Sequence, residues 1–104
     1  MYGLIVKLKI TPGRRDDVIR LLQGSTMGMP GCISYVVAKD SSDENLIWVT
    51  EIWDTLANHD ASLSLPSVRN VIPQIKALVA AFDKVAVTIP VAGIGSVLHP
   101  PTDV

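Results

Sequence analysis

Between Tyr2 and Ile10 the chain alternates with a period of two, placing Tyr2, Leu4, Val6, Leu8 and Ile10 on one side and Gly3, Ile5, Lys7 and Lys9 on the other. Successive side chains of a strand point to opposite faces, so this run is a β-strand with one fully apolar face. A lone strand leaves its backbone donors and acceptors unpaired. The feature therefore commits the chain to a sheet whose apolar face must be covered by other elements.

The rest of the chain supplies both partners and cover. Thr11-Pro12-Gly13 punctuates the first strand, and Arg14–Met27 then carries Val18, Leu21 and Leu22 at helical spacing, with Asp16 and Asp17 favouring the first turn of the dipole. Gly24 weakens the later half, and Met29-Pro30-Gly31 ends it. Cys32–Lys39 and Leu46–Trp53 read as a hairpin joined by the polar run Asp40–Asn45. Asp54 is predicted to cap a helix through Leu63, and Pro66 to open another. Pro73 is predicted to break that helix and open a new turn running on to Phe82, with Lys84–Ile89 as a fourth strand ending near Pro90. Residues 1–91 form the domain on this reading. Residues 92–104, rich in Gly and Pro, form a tail or extended arm, whose apolar part to about Leu98 is expected to pack, with the partner subunit as the candidate surface.

Strand, helix, strand, strand, helices, strand is the order of an α+β, ferredoxin-like split βαβ unit: an antiparallel four-stranded sheet with helices on one face. The other face, to which Ile5, Val49 and Ile33 or Val36 are assigned, needs cover. A second copy of the sheet is the simplest source, which predicts a homodimer or a multiple of it.

Composition narrows the partners. At 104 residues, 48% hydrophobic and 18% charged, the chain should form a single compact domain. The single cysteine, Cys32, excludes an intrachain disulfide and a multi-cysteine zinc site, and fits a reducing cytoplasm. A net charge of −1 gives no footprint for nucleic acid or an anionic membrane. Leu21–Ala38 and Val85–Thr102 lack charged residues, yet glycines and prolines interrupt both too often for a membrane span.

Three runs carry a family resemblance: Pro30-Gly31-Cys32-Ile33-Ser34-Tyr35, then Trp48-Val49-Thr50-Glu51-Ile52-Trp53-Asp54, then Ala57-Asn58-His59-Asp60-Ala61-Ser62. In order and spacing they resemble the antibiotic biosynthesis monooxygenase domain, including its quinol-monooxygenase-like members, over about residues 2–91. The resemblance implies ferredoxin-like protomers paired through their sheets into a dimeric α+β barrel. It also implies, for some members, oxidation of dihydroxyaromatic substrates by O₂ without metal or flavin.

Within that frame His59 is the most informative residue. Leu56, His59, Asp60 and Leu63 share one helical face, so the imidazole is expected to point inward. There it serves either as base for a phenolic hydroxyl or as a structural hydrogen-bonder. Glu51 and Trp53 share a strand face; the acid either binds a substrate hydroxyl or pairs with Lys7, Lys9 or Arg69, and the indole either walls an aromatic ring or fills the core. Tyr35 can donate to an oxyanion, and Arg69 can stabilise a phenolate or lie on a solvated helix face. Ser25 continues the apolar stripe of the first helix and leaves room for a ligand beside it. Haem-degrading relatives use an axial His on the second helix and an Asn on the first strand; the approximate register puts Arg69 and Val6 there. Arginine has no lone pair for a metal and valine makes no hydrogen bond, so haem degradation is disfavoured and Val6 is left as a substrate-contact position. His59 and His99 do not make a metal site, and no nucleotide-binding glycine loop is present. The preferred reading is a cofactor-independent monooxygenase taking a small aromatic quinol or phenol and O₂. A non-catalytic barrel that binds a small apolar ligand, an accessory protein, or an isomerase on the same barrel would use the same residues.

Overall fold

The computed structural model describes residues 1–94. Its elements are β1 (Tyr2–Ile10), α1 (Arg15–Ser25), β2 (Cys32–Lys39), β3 (Leu46–Trp53), α2 (Leu56–Ser62), α3 (Pro66–Arg69), α4 (Ile72–Leu78) and β4 (Val79–Thr88). The sheet runs β2-β3-β1-β4 with every neighbouring pair antiparallel. Strands β1 and β2 are thus parallel with β3 inserted between them, which is the split βαβ arrangement.

The register decides what faces the helices. Leu4 pairs with Glu51, Val6 with Val49 and Leu8 with Ile47, and these side chains form the covered face together with Ile10 and Trp53. Val18 and Leu22 of α1 pack onto it, Val18 with no exposed surface. Burying each such side chain contributes about 1.5–3 kcal/mol, so this contact anchors the helix. Val49, assigned to the uncovered face, is 3% exposed on the helix side, because strand parity follows its pairing with Val6. Ile5 and Val36, both paired with Thr50, do lie on the open side.

Two helix boundaries differ from expectation for identifiable reasons. Asp54 does not cap α2; its N–H still belongs to the sheet end, donating to the Gly31 carbonyl at 2.9 Å. Thr55 takes the role, its hydroxyl accepting the Asn58 N–H at 3.1 Å, while the Asp54 carboxylate accepts the Thr55 N–H and the Asn58 side-chain amide. Gly31 (φ +81°) is required beside this cluster, since a Cβ there would lie 2.5 Å from both Asp54 Oδ1 and Asn58 Nδ2. Pro73 does sit in the first turn of a new helix, α4, but that helix stops at Leu78 instead of reaching Phe82. From Val79 onward the backbone pairs with the free edge of β1, and this pairing outweighs the helical preference of Ala80 and Ala81.

Strand β4 is the least covered element. Phe82, Val85 and Val87 are all exposed, and Ile89, Val91 and Ile94 beyond it are more so. The rest of the expected arm, residues 95–104, lies outside the described residues. Among the described residues no helix is long and apolar enough to cross a membrane.

Candidate functional site

Between the covered face of the sheet and α1, α2 and α4 lies an internal space in two adjoining parts, of about 460 and 160 Å³. Tyr35, Glu51, His59, Leu22, Leu63 and Ile75 line both parts. A groove of similar volume, about 470 Å³, runs outside between α1 and α4, but it is shallow and its Arg14, Asp17 and Arg20 are already paired with one another. The candidate site is therefore the internal space, where polar groups sit among apolar walls.

Glu51 reaches it because β3 parity turns it to the helix side, where it is 8% exposed. Its partner is Trp53, two residues on along the same face, whose indole Nε1 donates to Oε1 at 3.0 Å. None of the expected cations pairs with it: Lys7 and Lys9 lie on the opposite sheet face, near Asp83 and Asp43, and Arg69 is on the exposed side of α3. Burial pushes the Glu51 carboxyl above its ordinary value, against the Trp53 hydrogen bond and the nearby His59, which pull it down. Tyr35 stands opposite Glu51 in the β2–β3 register. Burial first, and the Glu51 charge second, raise its phenol far above the ordinary value, so it remains a hydrogen-bond donor.

His59 enters from α2 with 15% of its side chain exposed. Its Nδ1 is 2.9 Å from an Asp60 carboxylate oxygen, and its ring packs 5.1 Å from Tyr2, tilted, and 5.6 Å from Trp53, edge to face. In the neutral imidazole, the tautomer with hydrogen on Nδ1 donates to this carboxylate and leaves Nε2 as an acceptor. The helical face proposed for it is only partly inward, as Leu56 and Leu63 are each 50% exposed and Asp60 faces solvent.

Trp53 is wholly buried and walls the smaller part, as does Ser25, whose hydroxyl is spent on the Leu22 carbonyl at 3.2 Å. Val6 lies on the floor of the larger part. The structure thus brings Tyr35, Glu51, Trp53, His59, Ser25 and Val6 together and leaves Arg69 out. Sequence reasoning missed Tyr2, although it shares the parity of Leu4, and missed Lys76 and Lys84, which line the larger part. Among the described residues no group of three or more His, Cys, Asp or Glu could hold a metal ion.

Comparison with known proteins agrees with this architecture. A protein of Chloroflexus aurantiacus J-10-fl assigned to the antibiotic biosynthesis monooxygenases superposes with a TM-score of 0.87 at 50% identity, over 91% of this chain and 97% of that one. One of Deinococcus radiodurans with the same assignment gives 0.71 at 28% identity, over 89% and 93%. A Pseudomonas aeruginosa protein shares the fold at 19% identity, with a TM-score of 0.71 over 84% and 88%. No functionally curated protein matches the chain in sequence. Residues 1–74, which include Tyr35, Glu51, Trp53 and His59, match the sequence model of one family, the antibiotic biosynthesis monooxygenases. The chain belongs to the antibiotic biosynthesis monooxygenase family.

Proposed function

We propose that this protein is a cofactor-independent monooxygenase of small aromatic quinols or phenols, acting as a homodimer. The observation that carries the reading is the convergence of an oriented imidazole, a protonated phenol and a buried carboxylate on one apolar cavity. In the reaction, His59 Nε2 accepts the proton of a substrate hydroxyl, and the resulting phenolate is electron-rich enough to reduce O₂ itself. One oxygen atom enters the ring and the other leaves as water, so a quinol and O₂ give a hydroxyquinone and water. Tyr35 donates to the oxyanion, Trp53 and the aliphatic floor at Val6 orient the ring, and the apolar walls exclude water. Glu51 fixes the Trp53 indole and supplies a second acceptor for a substrate hydroxyl.

Oxygen uptake with a panel of hydroquinones, with and without added metal or flavin, tests the activity. Uptake that depends on a hydroquinone and is indifferent to the additives supports the reading; no uptake with any member contradicts it. The dimer is supported by the open sheet face and the exposed side chains of β4. Sedimentation at micromolar concentration should give twice the 11.2 kDa chain mass or a multiple of it.

A further inference from the structure

The larger part of the cavity has a second polar end that the proposed chemistry does not use. Lys84 of β4 and Lys76 of α4 line it, across an apolar floor from Glu51 and His59. Lys84 is there because of a backbone irregularity. Ile5 pairs with Ala86 but Val6 pairs with Lys84, so Val85 is an extra residue on β4, a β-bulge. With an unbroken ladder Lys84 would face Lys7 on the open side; the bulge reverses its parity and turns it to the cavity. Its neighbour Asp83 goes the other way, opposite Lys7 and 4.0 Å from its ammonium. Among the described residues neither Lys76 nor Lys84 has a carboxylate or hydrogen-bond partner, although acidic residues outnumber basic ones in the chain as a whole.

Two unpaired ammonium groups at the rim of an apolar cavity, with hydrogen-bonding groups at its far end, describe a ligand with two unlike ends. We propose that the substrate is an aromatic acid: a phenolic hydroxyl enters toward His59, Tyr35 and Glu51, and a carboxylate on the opposite side of the ring is bound by Lys84 and Lys76. At ordinary strand spacing and rise, the Cα atoms of Glu51 and Lys84 are roughly 12 Å apart, two strands across and two residues along. Long lysine side chains shorten that span to one ring and its substituents. A ligand with its charge at the wrong end would set a carboxylate beside buried Glu51, and like charges in a low-dielectric site repel strongly. The lysines are then specificity-determining residues: they select acids over neutral quinols and fix which end of the ring enters.

This inference names the substrate class for the monooxygenase reading and rests on the same cavity, but it is tested by binding alone. Isothermal titration of the full chain with a dihydroxybenzoate, its methyl ester and hydroquinone, without O₂, measures the preference directly. The wild type should bind the acid about 10-fold or more tightly than the ester, a preference that added salt reduces. Lys84→Gln should lose most of it and the double variant Lys76→Gln/Lys84→Gln all of it, with ester affinity unchanged. Both side chains are exposed, so the variants should melt with the wild type. Equal binding of acid and ester, no binding of the acid at millimolar concentration, or a preference that survives the double variant overturns the proposal. Acid-selective binding without turnover would leave it standing and remove the monooxygenase reading instead.

Discussion

The two ends of the cavity are built differently. At the β3–α2 end Glu51 and His59 are held by neighbours of their own chain: the Trp53 indole donates to Glu51, Asp60 contacts the His59 ring nitrogen, and Tyr2 and Trp53 pack against the imidazole. At the β4 end Phe82, Val87 and Lys84 stand at an exposed edge with little over them. On the proposed chemistry, groups that must act in one geometry are locked by their own chain, whereas the end proposed to admit a ligand, and that a second subunit could cover, is left open. The contrast predicts that substitutions at the closed end change rate, and those at the open end change association and affinity.

The largest effect is expected at His59. Gln keeps a polar side chain but cannot cycle a proton near neutrality, so His59→Gln should cut turnover roughly 10²-fold or more with little change in Tm. A variant that melts early yet turns over normally per folded molecule would make His59 structural. On the open sheet face, Val36→Asp should weaken self-association about 10-fold or more in sedimentation, because a charge would be buried in an apolar contact. An unchanged dimer would show that this face stays bare. Tyr35→Phe removes one neutral donor and should lower kcat about 10-fold while leaving KM within a factor of two or so. A change confined to KM would mean that Tyr35 binds the ground state as well as the transition state.

The smallest effect is a stability change with a definite sign. Burial raises the Glu51 carboxyl above its unfolded value of 4.5, so its charged form penalises the fold once pH exceeds the folded-state pKa. Below 4.5 both states are protonated and the penalty vanishes. Glu51→Gln should therefore raise Tm slightly at neutral pH and not at acidic pH. A loss of stability at both would mean that the Trp53 hydrogen bond outweighs desolvation.

Most of the closed end was legible in the sequence and little of the open end was. Strands β1, β2 and β3 begin and end where alternation meets Gly, Pro and Asp, so Tyr35, Glu51 and Trp53 could be placed on strands. Their mutual facing could not, because it depends on which residue of β1 meets Glu51; the pairing with Leu4 put Lys7 and Lys9 on the far side. Strand β4 was half missed, since Val79-Ala80-Ala81-Phe82 reads locally as helix and becomes a strand only by pairing with β1. The direction of Lys84 was beyond reach because one extra residue in a ladder leaves no mark on composition or periodicity. Arg69 looked chemical by its place after Pro66, yet Val68 and Val71 take the cavity side of that turn and Arg69 is left exposed.

In the proposed reaction the closed end delivers one oxygen atom from O₂ to a substrate ring. Turnover of a hydroquinone under ¹⁸O₂, with product analysed by mass spectrometry, tests it directly. One labelled atom is expected in each hydroxyquinone and the second in water, with loss of the labelled product in His59→Gln. Hydroquinone consumed without label in the product would contradict it.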